Sequence, residues 1–267
     1  MTSPEHGNLW RSGEDYERYV GRWSRLVALA FLAWLEVPPD GRWLDVGCGT
    51  GALVTAILNE AQPSEVVGVD PSEGFLTLAR SQVTDPRATF VVGDARAIPL
   101  PDGERDAVVG GLMLNFVPEP AGAVAEFARV TRSGGTVAAY VWDYPVGMQM
   151  MRFFWDAATD LDPASSALDE GKRFDSVCSP EALGGLWTAA SLGDVETRPI
   201  DIPTRFRDFD DYWQPFLGGQ GPGPRYVASL DPDQREALRT HLHASLPIAP
   251  DGSISLTARA WAVRGVR

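Results

Sequence analysis

The stretch Trp43-Leu44-Asp45-Val46-Gly47-Cys48-Gly49-Thr50-Gly51 constrains this chain more than any other. A short apolar run enters three closely spaced glycines, and residues 52–59 then read as a helix. Glycine lacks a Cβ, so such a loop turns tightly and lets a ligand approach the backbone. The helix that follows offers unpaired N–H groups at its start. In an open α/β sheet this crevice, at the carboxyl end of a strand, is where ligands bind.

Strand and helix patterns keep alternating downstream. Strands are expected at 43–46, 65–69, 88–92, 107–112 and 136–141, with helices at 52–59, 74–82 and 121–130. Continuous apolar strands separated by helical segments imply a parallel sheet covered on both faces. Right-handed crossovers then make it doubly wound. A further helix is expected at 14–36, broken near Gly21, behind a polar start. After Trp142 the rhythm changes. Residues 143–192 are helical and aromatic, 195–202 and 253–263 read as strands, and 203–252 hold helices and the Gly/Pro segment 218–224. The reading is one domain over 1–267, with a cofactor-binding core at 14–142. Segments 143–192 and 203–252 are insertions that either cap the sheet or pack as extra helices.

Charge narrows the partners. Asp and Glu number 36 against 23 Lys and Arg, a net charge of −13, and no basic run occurs. Nucleic-acid affinity rests on clustered Lys and Arg, so that class is disfavoured. Cys48 and Cys178 are too few and too far apart for a disulfide framework. CxxC and HExxH are absent, and no metal site is expected. The apolar run 26–35 is far short of the ~20 residues a membrane helix needs. Glu14, Asp15 and Glu17 precede it with no cleavage site after, so a soluble, cytoplasmic protein is expected.

The glycine loop alone leaves two cofactors open. Gly47, Gly49 and Ala52 satisfy the dinucleotide pattern, and Asp70 lies about where that pattern wants its acid. Three carboxylates separate the readings. Asp45, just before the first glycine, suits an ammonium and opposes a pyrophosphate. Asp70 ends the second strand and can accept from a ribose. Asp94 follows the third strand and can accept from an adenine amino group. They stand 25 and 24 residues apart, one β–α unit each.

At these residues the chain resembles the class I S-adenosylmethionine-dependent methyltransferases, and within them the broad small-molecule group that includes quinone-type enzymes. "LDVGCGTG", "VVGVDPSEGFL", "VVGDARAIPLPDGERDAVV" and "LMLNFVPEPAGAVAEFARVTRSGG" carry the resemblance, over roughly 14–142. It implies a Rossmann-like, seven-stranded sheet whose last strand runs antiparallel, and methyl transfer from S-adenosylmethionine with S-adenosylhomocysteine as product. It gives the methionine end to Asp45, Gly47, Gly49 and Gly51, and the ribose to Asp70 beside Pro71 and Ser72. Adenine goes to Asp94 and the backbone of Ala95. Asn115 and Phe116 line the methionine moiety or the acceptor, and Tyr19 and Arg22 close over the cofactor, Arg22 toward its carboxylate.

Each role has a plainer alternative: a helix cap for Asp45, an Asp-Pro turn for Asp70, an Asx turn for Asp94, packing for the aromatics. Cys48 reads as loop packing. For a general base, His6, His241 and His243 read as surface residues. Asp143, after the fifth strand, is the better candidate, with turn formation as its alternative. The aromatics of the two insertions either line an apolar acceptor pocket or form the insertions' own core. The acceptor is read as a small molecule, and the protein as a monomer or homodimer. A nucleic-acid or protein methyltransferase, an NAD-dependent oxidoreductase and a non-catalytic cofactor-binding regulator stay as competing readings.

Overall fold

The computed structural model describes residues 21–267 apart from Asp175, Gly219 and Gln220. Tyr19 therefore lies outside the described residues. The chain forms α1 (Arg22–Leu35), β1 (Arg42–Val46), α2 (Ala52–Glu60), β2 (Glu65–Asp70), α3 (Glu73–Gln82), β3 (Ala88–Val92) and β4 (Arg105–Gly111). A short 3-10 turn, Leu114–Phe116, precedes α4 (Pro120–Val130) and β5 (Thr131–Trp142). Then come α5 (Gln149–Leu161), α6 (Glu170–Arg173), α7 (Pro180–Ala189), β6 (Gly193–Phe206), α8 (Phe209–Trp213), α9 (Pro222–Ser229), α10 (Pro232–Ser245) and β7 (Ile254–Val266).

The seven strands make one sheet in the order β3-β2-β1-β4-β5-β7-β6. β1 pairs in parallel with β2 and β4, β2 with β3, and β4 with β5. In β1 and β2 nearly every residue is buried, as central strands covered on both faces require. β7 runs against β5: Gly134 N–H donates to Arg267 O at 2.8 Å, while Asp143 N–H donates to Arg259 O at 2.9 Å. As one strand rises the other falls, which is antiparallel pairing. The doubly wound sheet and its reversed last strand are as the sequence indicates.

Element ends differ where the pattern is weakest. β5 begins at Thr131 rather than near 136, directly after α4, and Thr131 Oγ1 donates to Phe127 O at 2.7 Å. β4 stops at Gly111 because Leu112 turns away with φ +57°. β6 and β7 both run beyond the expected ends. Part of the Gly/Pro segment is helical: Pro222 opens α9, where its missing N–H costs nothing.

The chain divides into two compact units. The first comprises residues 25–141, 177–200 and 260–267 and carries most of the sheet. Within it Phe31 of α1 packs on Tyr140 with ring centroids 4.7 Å apart. Trp187 of α7 donates its indole N–H to Val137 O at 2.9 Å.

The second unit takes up to Ser24, then 142–176 and 201–259. Its aromatic side chains pack on one another. Phe154 stacks on Phe216 at 4.2 Å, Trp155 meets Phe154 edge-on at 5.0 Å, and Tyr212 lies 5.6 Å from Phe216. All four rings are buried, and Tyr212 donates its hydroxyl to Met150 O at 2.8 Å. These rings form this unit's own core.

The carboxyl of Glu170 is buried in that core. Glu170, the first residue of α6, accepts the Trp155 indole N–H. Asp169 beside it is held by both terminal nitrogens of Arg152. Burial pushes the Glu170 carboxyl up to about 7; the neighbouring Asp169 charge adds to this, while Trp155 and Arg152 oppose it. A carboxyl raised in the folded state stabilises fully below its ordinary value near 4.5, and that contribution is lost as pH rises through about 7. Glu170→Gln should therefore flatten the fall in urea midpoint between about pH 5 and 8. A slope equal to that of the parent protein would refute the assignment.

Candidate functional site

β1 sits where the strand order reverses, with β2 on one side and β4 on the other. The loop leaving it is fastened to β2. Gly47 and Cys48 both donate their N–H groups to Val69 O, at 2.7 and 3.1 Å. Gly49 N–H donates to Asp70 Oδ2 at 2.9 Å, and Gly51 N–H closes the turn on Cys48 O at 2.9 Å. Gly47, Gly49 and Gly51 have φ of +71°, +53° and +87°, the region L side chains avoid. At Gly47 there is a second reason. A Cβ there would lie 2.7 Å from Met113 Cβ, at the end of β4.

Asp45 lies inside β1, paired in register with Gly68 on one neighbour and Val109 on the other. It is almost wholly buried, and among the described residues neither carboxylate oxygen has a hydrogen-bond partner. It does not cap a helix. Burial raises its carboxyl well above the ordinary range, and the charge of Asp70 adds to that. An unpaired carboxylate in such a place is costly, and no packing purpose explains it.

Asp70 ends β2, and each of its oxygens already serves the backbone. Oδ2 accepts from Gly49 N and Oδ1 from Ser72 N at 2.8 Å. A carboxylate oxygen has two lone-pair sites, so capacity remains for further donors. Burial raises the Asp70 carboxyl, while these two N–H bonds hold it back. Ser72 caps α3, its Oγ accepting from Phe75 N at 3.3 Å. Pro71 between them is exposed. Cys48 is buried, and burial followed by the charges of Asp45 and Asp70 keeps its thiol protonated.

Asp94 lies two residues beyond β3 and is largely exposed. Arg96 grips it with its backbone N–H at 2.8 Å and with Nε and Nη2 at 3.0 and 2.7 Å. That pairing lowers its carboxyl. Ala95 is buried beside it. Asn115 and half-buried Phe116 lie on the 3-10 turn after β4, where Asn115 Nδ2 is buried without a partner among the described residues.

The first unit thus brings together Asp45, the glycine loop and Asp70, with Ser72 and Asp94 at the ends of neighbouring strands. Arg22 and Asp143 belong to the second unit. Arg22 pairs with Asp211 at 3.1 Å. Asp143 is buried and builds a turn: its Oδ1 accepts from Val146 N at 3.2 Å, and its carbonyl from Gly147 N and Met148 N. His241 pairs with Asp160 at 3.1 Å in a largely exposed position, and His243 packs on Phe209. Met113 and the left-handed Leu112 shape the loop's surroundings without any mark in the sequence, because both act through backbone position. Among the described residues, no cluster of His, Cys, Asp or Glu is arranged for a metal, and no helix is long and apolar enough to cross a membrane.

The profile of a methyltransferase domain matches residues 44–139, from β1 into β5. A demethylmenaquinone methyltransferase of Roseiflexus sp. is 38% identical over 180 residues, covering 63% of this chain and 75% of that protein. The chain belongs to the class I S-adenosylmethionine-dependent methyltransferases. A ubiquinone/menaquinone biosynthesis C-methyltransferase of Geobacter sulfurreducens is 32% identical over 138 residues, 50% of this chain and 52% of that one. The fold matches that of a putative methyltransferase from an antibiotic biosynthesis pathway of Anabaena variabilis, with a TM-score of 0.62 at 18% identity, over 91% of this chain and 99% of the other. The chain spans about half the length of most of the curated relatives it matches.

Two outcomes follow from this geometry. Gly47→Ala should cost about 2–4 kcal/mol, from a strained φ plus overpacking on Met113. Gly49→Ala, with no atom within 4 Å of its added Cβ, should cost only about 1–2 kcal/mol. Urea denaturation reads both, and equal losses would discount Met113. Asp45→Asn should be more stable than the parent at about pH 8, with the advantage shrinking toward about pH 4. The sign follows from the raised carboxyl, whose neutral form is lost as pH rises. A pH-independent difference would mean that Asp45 is not the strained group.

Proposed function

We propose that this chain transfers the methyl group of S-adenosylmethionine to a small-molecule acceptor. The observation that carries the reading is Asp45, a buried carboxylate without a hydrogen-bond partner among the described residues, beside a glycine loop at the sheet's reversal point. An ammonium satisfies it, and a pyrophosphate is repelled by it. That is why a nicotinamide dinucleotide fits this loop poorly although the glycine spacing admits one.

The bound cofactor supplies an electrophilic methyl on sulfonium, so that the chain has to position and shield rather than activate. In this reading Asp45 and the backbone at Gly47, Gly49 and Gly51 hold the methionine end. Asp70 accepts the ribose hydroxyls on its remaining lone pairs, with Pro71 and Ser72 fixing the turn. Asp94 and Ala95 take adenine, Asp94 sharing its oxygens with Arg96. Asn115 turns its unpartnered amide, with Phe116, to the methionine moiety or the acceptor. Asp143 spends its Oδ1 on a turn, so its contacts favour the structural role over proton abstraction.

Relatives named for demethylmenaquinone and for ubiquinone and menaquinone make an electron-rich ring the first acceptor class to screen. Calorimetric titration with S-adenosylmethionine, S-adenosylhomocysteine and NAD tests the cofactor. The first two should bind in the micromolar range, and Asp70→Ala should lose at least about tenfold. Labelled-methyl transfer to ring acceptors then separates an enzyme from a binding-only regulator. Binding of NAD alone would overturn the reading.

A further inference from the structure

The Asp94 carboxylate is held by a single residue. Its Oδ1 accepts the Arg96 backbone N–H at 2.8 Å and Arg96 Nε at 3.0 Å, and its Oδ2 accepts Nη2 at 2.7 Å. The turn closes behind it, with Ala97 N–H donating to Asp94 O at 3.0 Å. A carboxylate offers about four lone-pair sites. Arg96 fills both on Oδ1 and one on Oδ2, so one acceptor direction remains, on Oδ2. Of the three N–H groups after Asp94, the turn uses those of Arg96 and Ala97 and leaves that of Ala95.

The same local motif occurs at Asp85, which takes the N–H, Nε and Nη2 of Arg87 at 2.9, 3.0 and 2.7 Å. There the arginine goes on to donate to Pro63 O and Leu58 O, at 3.4 and 3.5 Å, and so ties the approach to β3 to the end of α2. Among the described residues, Arg96 makes no such further bond. Its stem passes the first turn of α4, where a Cβ on Gly122 would lie 3.8 Å from Arg96 Cγ, and the charge of Glu119 acts on it from just before that helix. The Arg96 and Asp94 side chains are 42% and 47% exposed, and a pair so exposed adds little to stability. The Arg87 fork serves the fold, whereas the Arg96 fork serves the carboxylate.

We propose, on the methyl-transfer reading given above, that Arg96 is a positioning residue for the nucleoside end of the cofactor, and that through Asp94 it makes this edge selective for a 6-aminopurine. An exocyclic amine donates to the remaining site on Oδ2, and the adjoining ring nitrogen accepts from Ala95 N–H. A 6-oxopurine reverses both partners, setting a carbonyl against the carboxylate and an N–H against an N–H. Such discrimination needs a carboxylate fixed in one plane. Without the fork, an exposed aspartate turns about its side-chain bonds and has to be ordered when the ligand binds. Lysine cannot replace the fork, because its ammonium is a point charge.

Calorimetric titration of S-adenosylhomocysteine and its 6-oxo analogue, S-inosylhomocysteine, onto the parent, Arg96→Ala and Arg96→Lys tests this. Arg96→Ala keeps the backbone bond to Oδ1 and should melt within a few degrees of the parent. The parent should bind the 6-amino ligand at least about tenfold tighter than the 6-oxo one. Both variants should lose about three- to tenfold in affinity for S-adenosylhomocysteine, the effect of ordering one freed side chain. Neither should lose affinity for S-inosylhomocysteine, so the preference narrows. A preference that is absent from the parent, or unchanged in either variant, overturns the role of Arg96 and leaves the methyl-transfer reading in place. A parent that binds neither ligand overturns both.

Discussion

The glycine loop after β1 owes its shape to the strand beside it. Val69 O accepts two of its N–H groups and Asp70 a third, so the loop forms only when β1 and β2 are paired in register. A slip of one residue would turn Asp45 to the opposite face and move Val69 O away from Gly47. Met113 closes the loop from the β4 side, where even a methyl group on Gly47 would collide. The ligand edge of the sheet is therefore a consequence of strand pairing. Its three central strands must be right before any chemistry can be.

That arrangement stores an electrostatic cost in Asp45. Its neighbours on the adjoining strands are Gly68 and Val109, which offer no side-chain donor. Asp70 nearby worsens the position, being another carboxyl. Proteins retain such groups where function requires them, at the expense of stability. Asp70 has settled differently: two backbone N–H bonds hold it, and it joins the loop to the start of α3. The two neighbouring carboxyls thus differ: one is fixed by backbone donors and the other has none among the described residues.

Much of this was legible before any coordinates. The alternation of apolar runs with helical segments gave the order of β1 to β5, because a parallel strand buried on both faces leaves a run of Val and Leu that little else explains. Three acids one β–α unit apart marked one edge of one sheet. Hidden were features set by tertiary context. The strand expected at 136–141 begins instead at Thr131, where Arg267 returns to pair with Gly134 and Gly135. Leu112 carries a left-handed φ that leucine composition would never suggest. Asp94 accepts the Arg96 N–H two positions on, the turn that was its plainer alternative, and the Arg96 guanidinium joins it there, a pairing set by side-chain geometry the spacing alone does not show. The insertions' aromatics were ambiguous because a core and an apolar pocket need the same side chains; only their mutual stacking decided for the core.

Asp45 and Glu170 show why burial alone does not identify a functional group. Each is a carboxyl taken out of water, and each is raised for that reason first. Glu170 receives an indole N–H from Trp155 and sits near Arg152, so its position is explained by the packing of α5 and α6. Among the described residues, Asp45 receives nothing. The difference lies in what surrounds each group. A polar group whose partners are present belongs to the fold, and one buried without them calls for an explanation that packing does not give.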